Sequence, residues 1–125
     1  MDRESFMHLV AEAVEHLPEE FRARLENVAI VVEDWPSQEE LKRAGLRNPQ
    51  NLLGLYQGVP LTRRGVHYSM VPPDKITVFQ KPIEARCQDE RKIVAEIQNV
   101  VRHEIAHHFG IGDAKLREIE RGKKR

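Results

Sequence analysis

The stretch RHEIAHHFGIGDAK, residues 102–115, carries three histidines, a glutamate and an aspartate within eleven consecutive positions, 103 to 113. Imidazole and carboxylate are zinc donors, and a carboxylate beside a metal can also accept a proton. His103 and His107 are four residues apart, so on a helix both rings leave one face, one turn apart, and can reach a single ion. Glu104 lies about 100 degrees from His103 and about 60 degrees from His107 round such a helix, which sets its carboxylate beside the ion rather than behind it. His108 lies about 140 degrees from His103, too far round to be a third ligand while the helix stays regular. It reads as a surface or supporting histidine.

A catalytic zinc takes three protein ligands and keeps one position open. Asp113 is the candidate for the third. In an unbroken helix it would stand about 9 Å beyond His107 and about 240 degrees round from it, out of reach, so the chain has to break between them. Gly110 supplies that break, because glycine adopts the left-handed conformation that ends helices, and Gly112 loosens the return. The chemistry assembled in this way is hydrolysis. A bound zinc polarises a carbonyl and lowers the pKa of its water to about 7, and Glu104 is placed to take the proton and return it to the leaving amine. Two other readings compete. A buried helix with satisfied polar groups has to explain two histidines and a glutamate next to an apolar face. A non-catalytic zinc module holding a partner peptide has to explain a carboxylate that a structural metal does not need.

The rest of the composition narrows the class. The chain has 125 residues, the size of one domain, 1–125, and 40% hydrophobic residues with seven Gly and seven Pro fit a globular protein. No apolar run approaches the roughly 20 residues that span a bilayer. The N-terminal MDRESFMHLVAEAVEHL contains acids throughout and lacks the basic start and unbroken apolar stretch of a secretory signal, so a cytoplasmic protein is expected. The single cysteine, Cys87, cannot form an internal disulfide and reads as a partly buried filler. Twenty basic residues balance twenty acidic ones, which leaves no overall field for nucleic acid or an anionic membrane. The basic tail RGKKR, 121–125, has no interleaved aromatics and reads as a solvated end. The oligomeric state is not legible.

Several elements must position the motif. Phe6, Leu9, Val10, Ala13, Val14 and Leu17 are spaced as one helical face, closed by Pro18. His8 and His16 lie near that stripe, away from any carboxylate cluster of ligand spacing. VAIVV, 28–32, reads as a buried strand, and Ser37 with Glu40 as the capping box of a short helix ended by Gly45. Asn48 and Pro49 mark a turn, and LLGLYQG offers a second strand. Residues 59–75 read as a loop of the kind that forms a cleft wall or lid. ITVFQKPI, 76–83, is expected as a third strand, and Lys81 and Pro82 suggest an edge. Asp89 can cap a long helix carrying Ile93, Val94, Ile97, Val100 and Val101 into the motif, and an amphipathic segment, 113–121, follows. Tyr56, His67 and Tyr68 are further polar candidates on the presumed cleft side. An extended substrate would pair with an exposed strand edge, 76–80 as first choice and 53–57 as second.

HEIAHHFGIGD is similar to the zincin motif HExxHxxGxx(H/D) of the metzincin type. Its position near the C-terminus of a short chain resembles the small bacterial zincin-like metallopeptidases with a minimal matrix-metalloprotease-like domain. LLGLYQGVPL and ITVFQKPI ahead of the helix extend the likeness over nearly the whole chain. The resemblance implies an α+β fold: a small, mostly three-stranded sheet on an N-terminal helix and a long active-site helix, with a short C-terminal helix. It implies a zinc peptidase acting on peptide or unfolded protein, with His103, His107 and Asp113 as ligands, Glu104 as base and Gly110 as the turn. Larger metzincins usually have histidine as third ligand and a methionine turn beneath the metal. No methionine follows Asp113 here, and Met70 precedes the motif.

Overall fold

A computed structural model describes residues 1–58 and 73–123, with the side chains at 113, 120, 122 and 123 outside that description. Helix α1, Arg3–Glu15, starts where the Asp2 carboxylate accepts the Ser5 amide at 2.7 Å, and it buries Phe6, Leu9, Val10 and Ala13. Pro18 closes this helix but also opens another, α2, Glu19–Arg24, which the sequence reading passed over. Proline's missing amide costs nothing at a helix start, and the Pro18 carbonyl accepts from Phe21 at 2.9 Å.

Strand β1, Val28–Glu33, leads into α3, Gln38–Ala44, whose capping box joins Ser37 and Glu40 in both directions and whose C-cap is left-handed Gly45. A 3-10 turn at Pro49–Asn51 precedes strand β2, Gly54–Gln57. Strand β3, Asp74–Phe79, runs directly into α4, Gln80–Arg86. The long helix α5, Glu90–Phe109, is capped by Asp89, whose carboxylate accepts the Lys92 amide at 2.9 Å, and α6, Asp113–Lys123, follows it. Helices and, among the described residues, a three-stranded sheet together make a mixed α+β fold. Among the described residues no helix is long and apolar enough to cross a membrane.

The sheet order is β1-β3-β2, with β1 parallel to β3 and β2 antiparallel to it. This overturns two expectations. The strand expected over 76–83 stops at Phe79, and it is central, not an edge. Lys81 and Pro82, which suggested an edge, belong to the first turn of α4, where a proline needs no amide partner. β1, expected to be buried, is half-buried at all six positions and lies at an edge of the sheet formed by the described residues. Of the two expected substrate edges, 76–80 lies in the central strand, and 53–57 lies on the margin of the sheet that the described residues form. The stretch 59–72, with His67, Tyr68 and Met70, lies outside the described residues.

One face of β3 puts Ile76 and Val78 into the main core with the apolar stripes of α1 and α5, and Leu116 and Ile119 bring α6 onto the same core. On the opposite face Phe79 packs with Leu41 and Leu52. The core thus grips α5 through Ile93, Ile97, Val101 and Ile105, and its polar side is left facing β2.

Candidate metal centre and active site

Helix α5 and strand β2 form the two walls of an open cleft of about 670 Å³, and Arg43, Ala44 and Leu46 also line it. His103, Glu104, His107 and His108 all line it. The three histidines are exposed, and Glu104 is half-buried. The i, i+4 spacing therefore presents both imidazoles of the motif to a cleft rather than to packed hydrocarbon.

The His103 ring is oriented by its own helix. Its Nδ1 lies 2.7 Å from the Asn99 carbonyl oxygen, which can only accept, so Nδ1 carries the proton and the neutral ring keeps its lone pair on Nε2. This is the support metal-bound histidines commonly have, a carbonyl on one nitrogen and the other left for an ion. Asn99 stands outside the HExxH pattern. Its side-chain type gives no signal, because any residue one turn before His103 offers the same carbonyl.

Glu104 is held by the sheet. The Phe79 amide donates to the Leu53 carbonyl at 2.9 Å, so in this antiparallel register Leu55 and Gln57 bond to β3, and the amides of Gly54 and Tyr56 turn to the outer edge. The Tyr56 amide there donates to Glu104 Oε1 at 2.9 Å. Burial pushes the Glu104 carboxyl above its ordinary range; the Tyr56 amide, His107 and His103 pull in the opposite direction. Gly54 permits this approach of strand to helix. A Cβ at Gly54 would overlap the Val100 Cγ1 methyl and stand 3.2 Å from the Thr77 carbonyl oxygen.

Tyr56 was a candidate for its phenol. Instead the hydroxyl donates to Asp74 Oδ2 at 2.9 Å and the ring stacks on His108, with centroids 3.8 Å apart and planes 13° from parallel. The part of Tyr56 that touches Glu104 is its backbone, which no side-chain pattern announces.

Beyond the cleft Gly110 ends α5 with φ 68° and ψ 30°, and the Ile111 amide donates to the Ala106 carbonyl at 2.8 Å. The sequence then restarts as a helix at Asp113. The Asp113 side chain, the expected third ligand, lies outside the described residues. Among the described side chains no three of His, Cys, Asp or Glu are grouped to hold a metal. His8 and His16 stay on α1, and the His16 Nδ1 is occupied by the Glu12 carbonyl at 2.8 Å. Cys87 is partly buried, with its thiol pushed up by burial first and by Glu96 and Asp89 second, as suits a filler.

A comparison with curated proteins finds no match. A family model described as zincin-like metallopeptidase matches residues 25–123, from the end of α2 to the end of α6, and therefore takes in the whole sheet and the HExxH helix. On that match, which spans most of its length, the chain belongs to the zincin-like metallopeptidase family.

Proposed function

We propose that the protein is a zinc-dependent peptidase cleaving internal bonds of peptides or unfolded polypeptide, with Glu104 as general base and His103, His107 and Asp113 as metal ligands. The observation that carries this reading is the shared cleft: two imidazoles and one desolvated carboxylate face the outer edge of β2. The donor set fits zinc, since His103 is fixed by the Asn99 carbonyl in the tautomer that leaves Nε2 to an ion. When bound, zinc supplies Lewis acidity and a water that ionises near neutral pH.

The chain's own groups supply the rest. Burial raises the Glu104 carboxyl above its ordinary range, which makes it a stronger base to take a proton and hand it on to the leaving nitrogen. The Tyr56 amide on its Oε1 fixes which way the carboxylate faces. An extended substrate would pair along the outward edge of β2 from Gly54, since the Tyr56 amide is held by Glu104, and main-chain bonding of that kind gives affinity without demanding sequence. Leu53, Leu55 and Val100 offer apolar contact along the same cleft.

Metal analysis of untagged protein is expected to find close to one zinc per chain. Glu104→Gln is expected to keep that zinc and lower hydrolysis of an unfolded protein substrate by at least about a hundredfold, the scale of lost general-base catalysis. Retained turnover would remove Glu104 from the role. Zinc-dependent melting with no turnover in the unaltered chain, over a broad peptide library, would favour the non-catalytic peptide-binding module instead.

A further inference from the structure

We propose that His108, the residue just after the motif's second histidine, is a positioning residue: its ring clamps β2 to the end of α5 and so holds the Tyr56 amide on Glu104. The catalytic consequence rests on the peptidase reading; the clamp itself does not.

The chain of contacts is short. His108 stacks on the Tyr56 ring at 3.8 Å, close to parallel. Phe109 meets both edge-on, its centroid 4.9 Å from His108 and 6.2 Å from Tyr56, and the Arg24 guanidinium carbon sits 4.9 Å from the Phe109 centroid. Across the strand, the Tyr56 hydroxyl is tied to Asp74 at the start of β3. Just past β2, a Cβ on Gly58 would stand 3.4 Å from His108 Cε1. The ring thus lies against the strand's outgoing end as well as its tyrosine. One residue, Tyr56, is held by its ring to α5 and by its amide to Glu104.

The physical need is clear from β2 itself. It has four residues, and among the described residues only β3 pairs with it. An aromatic pair is worth a modest amount, but here it acts where sub-ångström drift would turn the Glu104 carboxylate. His108 thereby contributes through Tyr56 rather than as a ligand, consistent with its place round the helix from His103.

Amide hydrogen exchange of the full-length chain, read residue by residue by NMR, tests the clamp without turnover. His108→Ala is expected to speed exchange of the Tyr56 amide about three- to tenfold, the scale of one lost aromatic pair, while the Ile76 and Val78 amides of β3 keep their protection. His108→Phe restores the slow exchange. Glu104→Ala speeds the same amide with the stack intact. If His108→Ala does not fold, His108→Leu replaces it with the same expected reading. Unchanged Tyr56 exchange in the Ala or Leu variant, or equal loss in His108→Phe, overturns the proposal. With peptide substrate, kcat is expected to fall in His108→Ala and recover in His108→Phe, with zinc content unaltered and KM little changed. Should the unaltered chain show no hydrolysis, the peptidase reading fails while the exchange result still decides the clamp.

Discussion

At the β1 edge of the sheet Glu33 ends the strand beside Glu40 of α3, and at the β2 edge Glu104 reaches up from α5 to a strand amide. Both carboxyls are pushed above the ordinary range, and desolvation is the largest cause for each. The neighbours differ. Glu33 faces a second carboxyl, with Lys75 and Arg3 partly compensating, whereas Glu104 lies between two imidazoles in an open cleft. A raised carboxyl by itself therefore does not mark a site; the partners and the access do. The edges are also covered differently. Arg3 bridges the end of β1, donating to the Val32 carbonyl and to Asp34 at 2.8 Å each and to Gln80 Oε1 at 3.1 Å. The edge of β2 is met by a group with chemistry to offer.

The sharpest way to break this difference is at Gly54. Gly54→Ala places a methyl against Val100, a β-branched residue whose rotamer is fixed on its helix, and against a backbone oxygen, so the strand has to move away. The variant is expected to lose roughly 1–3 kcal/mol in chemical denaturation, as overpacked sites do, and, on the peptidase reading, most of the hydrolysis with it. If activity survives with stability lost, the strand–helix spacing does not matter to Glu104.

The β1 edge gives the control. Arg3→Ala removes three side-chain donations but touches nothing in the cleft, and the Arg3–Asp34 pair is largely exposed. A loss of about 1 kcal/mol in denaturant melts is expected, with zinc content and Tyr56 exchange unaltered. A change in either would mean that the two edges are coupled through β3.

The parts of this molecule that were readable in advance are those written in short-range pattern. The capping box at Ser37 and Glu40, the Asp89 cap and the apolar stripe of α5 are local, and each appears where its residues put it. The motif's histidines face a cleft because four-residue spacing shares a helix face whatever the tertiary setting. What misled was also local. Pro82 and Lys81 carry the same signature in an edge strand as in the first turn of a helix, and only the sheet order decides between them. Pro18 likewise both stops and starts helices. The contact from Tyr56 to Glu104 spans 48 positions and uses a backbone amide, so it is fixed by register and by the space left at Gly54. No residue type along the chain encodes it.

The smallest effect concerns the carboxyl at the other edge. In Glu33 the folded-state pKa lies above the ordinary glutamate value, so below that value both folded and unfolded chains hold the proton and Glu33 costs nothing. As pH rises, the unfolded chain releases its proton first while the folded one resists, because ionising Glu33 there means burial and the nearby Glu40 charge. Stability is lost across that window and the loss is complete once the folded carboxyl has ionised. Glu33→Gln has no such titration. Its thermal midpoint is expected to match that of the unaltered chain near pH 3.5 and to exceed it at pH 7 by about one or two degrees. Glu40 is a poorer place for the same test, since its carboxylate also accepts the Ser37 amide at 2.8 Å and closes the cap of α3. An offset that stays constant from acid to neutral pH would mean that the glutamine acts by packing. The raised carboxyl at β1 would then say nothing about charge, and the contrast with Glu104 would rest on access alone.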